Sequence, residues 1–155
     1  MEFSESLSQR LKLLQIHNSF IEEAKKRLRN SITPSIQRNR DFFRRNKSNI
    51  YILSGGFKEY ISPVARELFV KEGNILANRF QMDKEGRVVN PCWDSYLITS
   101  EGKVEQIRAL GLKGKVVVIG DGWTDSLPRQ RGVADEFFVR NGVKNSKILA
   151  YLFIQ

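Results

Sequence analysis

The sequence contains one cysteine, Cys92, and one histidine, His17, in 155 residues. A lone thiol cannot close an internal disulfide, which excludes a disulfide-stapled scaffold and suits a reducing compartment, taken here to be the cytoplasm. His17 has no cysteine or carboxylate at ligand spacing, so histidine-based zinc binding and nucleophilic catalysis both lack their parts, and His17 reads as a surface residue. The longest apolar runs, Val116 to Ile119 and Ile148 to Ile154, fall far short of the ~18 residues of a membrane-spanning helix. The acidic, amphipathic start Met1-Glu2-Phe3-Ser4-Glu5 lacks the basic opening and cleavage site of a secretory signal. Gly-x-Gly-x-x-Gly and P-loop patterns are absent. Aspartate is sparse, at positions 41, 83, 94, 121, 125 and 135, and no two are separated by a single residue.

What is present is a globular composition, 41% hydrophobic and 28% charged, of single-domain length. The net charge of +9 is concentrated between Lys25 and Lys47. Such an excess can mark a nucleic-acid partner. A solvated helical surface is the favoured reading, because Phe42 and Phe43 are the only aromatics in the stretch that could stack on bases.

Hydrophobic spacing divides the chain. Phe3, Leu7, Leu11 and Leu14 form one helical stripe, and Ile21, Ala24 and Leu28 a second behind a capping box of Ser19 and Glu22. Thr33-Pro34 predicts the start of a third helix ending near Asn46. From Asn49 the pattern changes to buried strands alternating with helices. Ile50 to Leu53 reads as a parallel strand that stops at Ser54-Gly55-Gly56 before a helix carrying Tyr60, Val64 and Leu68. A hairpin follows around Asp83-Lys84-Glu85-Gly86, then a helix from Glu101 to Leu110 ended by Gly111. The second buried strand is Val116 to Ile119, with a short helix near Ser126 to Arg131 and a strand at Glu136 to Val139. The expectation is an α/β fold built on a parallel sheet: a helical cap at 1–48, the α/β core at 49–140, and a tail at 141–155.

Two strand ends hold the polar chemistry. Ser54, with Gly55 and Gly56 behind it and a helix start beyond, has the makings of a phosphate seat, although a plain β-to-α turn would use the same residues. Asp121 and Asp125 follow the second strand, where carboxylates suit a hard cation such as Mg²⁺ or simply form the turn. Both clusters fall at the carboxyl ends of strands, the usual ligand position in open α/β sheets. Lys103, early in the preceding helix, lies within reach of the same crevice.

These residues resemble the phosphoserine phosphatases of the haloacid dehalogenase superfamily. Ser54-Gly55-Gly56-Phe57 resembles motif II, Gly102-Lys103-Val104 motif III, and Gly120-Asp121-Gly122-Trp123-Thr124-Asp125 motif IV. Phe3-x-x-Ser6-Leu7-x-x-Arg10 is similar to the start of the helical cap, and Ala77-Asn78-Arg79 before the hairpin also fits. The resemblance covers roughly Phe3 to Val139. It implies that Ser54, Gly55, Gly56 and Lys103 hold the phosphoryl group, Arg10 binds the substrate carboxylate, Asp121 ligates Mg²⁺ and Asp125 supports it. Thr124 and Trp123 replace the Asn and Ala of many relatives. Motif I, the Asp-x-Asp-x-Thr segment that supplies the nucleophile and the general acid/base, is absent, as though Met1 were an internal methionine of a longer reading frame. The resemblance therefore implies a haloacid dehalogenase-like core missing its first central strand, weak Mg²⁺ binding and no turnover by this chain alone. It leaves a non-catalytic phosphate- or partner-binding role as the alternative. The strands at Ile50 and Val116 are expected to expose their edges, to pair with each other, to self-associate, or to accept an N-terminal strand in trans.

Overall fold

The computed structural model describes residue 9, residues 16–92, residues 96–139 and the backbone of residues 150–154. The proposed first helix, including Arg10, lies outside the described residues apart from Gln9. Helix α1 spans Asn18–Arg29. Its N-cap is His17 rather than Ser19, because the imidazole Nδ1 accepts a hydrogen bond from the Ser19 N–H at 3.2 Å. That places the ring proton on Nε2, which donates to the Glu85 carbonyl at 2.9 Å. The lone histidine thus ties the cap to the hairpin turn. The expected third helix is two, α2 at Pro34–Arg38 and α3 at Arg40–Arg45. They break at Asn39, whose side-chain amide donates to the Ser35 carbonyl at 2.8 Å and so competes with the helical ladder.

The core alternates as its hydrophobic runs require. Strand β1 is Ile50–Phe57, helix α4 Lys58–Glu67, β2 Ile75–Met82 and β3 Val88–Cys92. Helix α5 covers Gly102–Leu110 and stops at Gly111, which takes the left-handed conformation with φ 56°. Strand β4 is Val116–Gly120, helix α6 Trp123–Gln130 and β5 Glu136–Val139. β1 pairs parallel with β2 and β4 with β5. Alternate residues of β1 serve opposite faces. Ile50 and Ile52 pack with Ile61 and Ala65 of α4, closed at the rim by Ile36 and Phe43. Leu53 joins Ile107 of α5, Val116 and Val118 beneath the other face. The cap docks through Ile21, buried against Phe57 and Phe80, whose rings stack at 3.9 Å.

One element was not foreseen. Strand β6, Ala150–Ile154, lies in the expected tail and enters the sheet between β1 and β4, giving the order β3-β2-β1-β6-β4-β5. It runs antiparallel to both neighbours. The inner edges of β1 and β4 are therefore neither open nor paired with each other. The apolar run ending at Ile154 was legible; its place in the sheet depends on long-range pairing that no local pattern encodes.

Candidate functional site

Strand β1 does not stop at Leu53. It continues to Phe57 through a bulge: Ser54 pairs with Ala77 and Phe57 with Asn78, leaving Gly55 and Gly56 as extra residues. The Ser54 hydroxyl accepts the Gly56 N–H at 3.0 Å, which leaves its own proton free to donate. Asn78, fully buried on β2, donates to the Gly55 carbonyl at 2.9 Å and holds the bulge from behind. A side chain at Gly55 would press on the Leu97 carbonyl at 3.3 Å.

The second half of the site is built around Asp125. Its side chain is 3% exposed and bonds the Lys103 ammonium through one oxygen. The other oxygen accepts the N–H groups of Asp121 at 3.1 Å and Gly122 at 2.9 Å. A buried carboxylate needs such saturation to remain charged. This packing also requires Gly120, where a Cβ would overlap the Asp125 side chain. Gly102 is constrained in the same way, since a Cβ there would overlap the Tyr96 carbonyl. Lys103 thus starts α5 with its ammonium fixed on Asp125, 16% exposed. Across the base of this region the Arg131 guanidinium grips Glu101 at 2.7 and 3.2 Å, joining the start of α5 to the end of α6. That pairing holds the Glu101 carboxyl below its ordinary range.

Gly55, Lys103 and Thr124 line one cleft of about 280 Å³, together with Leu97, Ile98, Thr99 and Ser100. Three of the residues proposed from sequence therefore converge, with Ser54 and Gly56 in the adjoining bulge. Asn78 stands out in the sequence only within Ala77-Asn78-Arg79, and its signal is an amide at the end of the apolar run Ile75 to Ala77. Thr99 and Ser100 were missed altogether, because nothing in their loop is periodic. The Asp121 carboxylate is exposed at the end of β4, and no side chain among the described residues pairs with it. It offers one hard oxygen donor, whereas Asp125 is committed to Lys103 and two backbone amides. No three His, Cys, Asp or Glu residues come together among the described residues. The donor set for Mg²⁺ is thus partial.

From the basic stretch, Lys25 lines a second cleft of about 230 Å³ with Lys58, Glu59, Arg66, Glu72 and Arg79, where Glu72 pairs with Lys58 and Arg66. Half-buried Lys25 and exposed Arg27, Arg40 and Arg44 are paired with Glu22, Glu23, Glu67 and Asp41. No helix among the described residues is long and apolar enough to cross a membrane.

No protein-family model matches the chain. It is 33% identical over 151 residues to the chloroplastic phosphoserine phosphatase of Arabidopsis thaliana, covering 96% of this chain and 51% of that protein. Against the Mus musculus phosphoserine phosphatase it is 29% identical over 130 residues, 81% of this chain and 57% of the relative. The chain thus spans about half the length of the curated relatives it matches. Among solved structures, a phosphoserine phosphohydrolase-like protein from Francisella tularensis superposes with TM-score 0.72 at 27% identity, covering 90% of this chain and 65% of that one. Sequence and fold thus agree in likening nearly the whole chain to the phosphoserine phosphatases, with a haloacid dehalogenase-like α/β core.

Proposed function

We propose that the cleft at the carboxyl ends of β1 and β4 binds the phosphoryl group of a small phosphomonoester such as phosphoserine. The observation that supports this best is the convergence of Gly55, Lys103 and Thr124 on one cleft beside the Ser54 bulge. Ser54 Oγ–H, its oxygen held by the Gly56 N–H, donates to a phosphoryl oxygen, and the Lys103 ammonium offsets the phosphoryl charge. Asp125 holds that ammonium in place and Thr124 lines the wall. Arg10 takes the substrate carboxylate by resemblance. Asp121, exposed and without a side-chain partner among the described residues, would give Mg²⁺ a single protein ligand, so weak binding that relies on water and phosphate oxygens is expected. The complete reaction of the family passes through an aspartyl-phosphate. This chain offers no Asp-x-Asp pair to form it, so the proposed behaviour is binding without turnover. The serine-biosynthetic role and the cytoplasmic setting belong to the same reading; nucleic acid and membrane partners do not.

Two measurements on the full chain test this. Calorimetric titration with phosphoserine is expected to give saturable binding that Lys103→Met abolishes. A phosphate-release assay with Mg²⁺ is expected to stay at background. Turnover lost in Asp121→Ala would show that another nucleophile serves, and absence of binding would overturn the phosphate reading itself.

A further inference from the structure

The two halves of the cleft stand on strands that are not neighbours. Ser54 and Gly55 belong to β1, and Gly120 leads from β4 into Asp121. β1 and β4 run in the same direction, since each is antiparallel to β6, and the sheet joins them only through β6. Tyr151 faces Ile52 and Ile119, Leu152 faces Tyr51 and Val118, and Phe153 faces Ile50 and Val117. Adjacent strands lie about 4.8 Å apart, so one intervening strand sets the two half-sites roughly 9–10 Å apart, and direct pairing of β1 with β4 would halve that. The ladder reaches the site itself: Ala150 pairs with Leu53, one residue before Ser54. The apolar cluster of Leu53, Ile107, Val116 and Val118 also bridges the halves. It keeps them together without fixing their spacing, because apolar contact is non-directional.

We propose that β6 is a positioning element of the cleft, a spacer strand whose pairing on both sides sets the separation between the Ser54–Gly55 bulge and the Gly120–Asp125 turn. Its effect on ligand rests on the phosphate reading above; its effect on spacing does not.

The test uses hydrogen exchange and orthophosphate titration on the full chain and on Leu152→Pro, which removes an N–H from the middle of a strand paired on both sides. The wild-type chain is expected to protect the amides of 50–53 and 116–119. In Leu152→Pro these amides, and those of 54–57 and 120–125, are expected to lose protection while α4 keeps its own. Phosphate affinity is expected to fall about tenfold or more. Edge-like exchange of β1 and β4 in the wild-type chain, or unchanged exchange at 54–57 and 120–125 in the variant, would overturn the proposal. If the wild-type chain takes up no phosphate, the ligand reading fails while the exchange data still decide the spacer. Should Leu152→Pro not fold, Tyr51→Cys with Leu152→Cys in a Cys92→Ser background provides the second route. An intramolecular disulfide in the monomer and a raised melting temperature are expected, whereas no cross-link, or one only between molecules, contradicts the seating of β6.

Discussion

At the scale of single residues, glycine and asparagine carry as much of the site as the charged groups. Gly120→Ala places a methyl group against the Asp125 side chain, so a loss of about 1–3 kcal/mol is expected by denaturant unfolding. Gly122→Ala, whose Cβ would stand 3.4 Å from the same carboxylate, is expected to cost less. Asn78→Leu takes the donor from the Gly55 carbonyl in a fully buried position, and about 1–3 kcal/mol should be lost with it. A variant as stable as the parent would show that the bulge holds itself. Lys103→Met leaves Asp125 with its two backbone donors and no counter-charge. Here too a loss of about 1–3 kcal/mol is expected, toward the lower end because water still reaches the lysine. Ser54, Asp121 and Asp125 stand out in the sequence because they follow strand ends, and Lys103 stands out through the resemblance of Gly102-Lys103-Val104 to motif III. The constraint on Gly102 was not, since it comes from the Tyr96 carbonyl, brought close by a loop without periodicity.

At the scale of elements, the strands and helices of the core agree with the hydrophobic periods that announced them. β5 is found at Glu136–Val139 as read, and α5 ends at Gly111 as its conformation demands. The differences arise where side chains compete with the backbone or where partners are remote: Asn39 splits one expected helix, His17 displaces the proposed cap, and β6 takes a slot set by the strands around it. Ion pairs join elements too. Burial pushes the Glu72 carboxyl up, but hydrogen bonds from Arg66 and Ser62 and the charge of Lys58 outweigh it, so its pKa is lowered. Glu101 is lowered by Arg131. A carboxylate with a depressed folded pKa contributes stability that is present above its unfolded value, about 4.3, and is lost as pH falls through the folded value. The melting temperature should therefore hold between pH 7 and about pH 5 and drop below about pH 4, and Glu72→Gln should flatten part of that drop. The slot has its own test. A peptide with the sequence pattern of the family's first strand should not raise the melting temperature of the intact chain, because β6 already fills the space, and should do so once Leu152→Pro unseats it. A clear gain in the intact chain would mean that β6 yields readily.

At the scale of the whole molecule, an α/β sheet brings two strand ends into one cleft, and the excess positive charge is concentrated on the cap helices, where Lys25, Arg27, Arg40 and Arg44 are paired with carboxylates and the remaining cations carry the excess. The likeness to phosphoserine phosphatases covers nearly all of this chain and about half of the curated relatives. The proposed function accordingly separates binding from turnover: the residues proposed to hold phosphate are present, and no Asp-x-Asp pair occurs in this sequence. The most direct test is a ¹H–¹⁵N NMR titration of the full chain with phosphoserine, followed over hours by ³¹P signals from the same sample. Saturable shifts at 54–57, 103 and 122–125, with the phosphoserine signal unchanged, are the predicted result. Shifts confined to the basic helices, or steady conversion to orthophosphate, would contradict it.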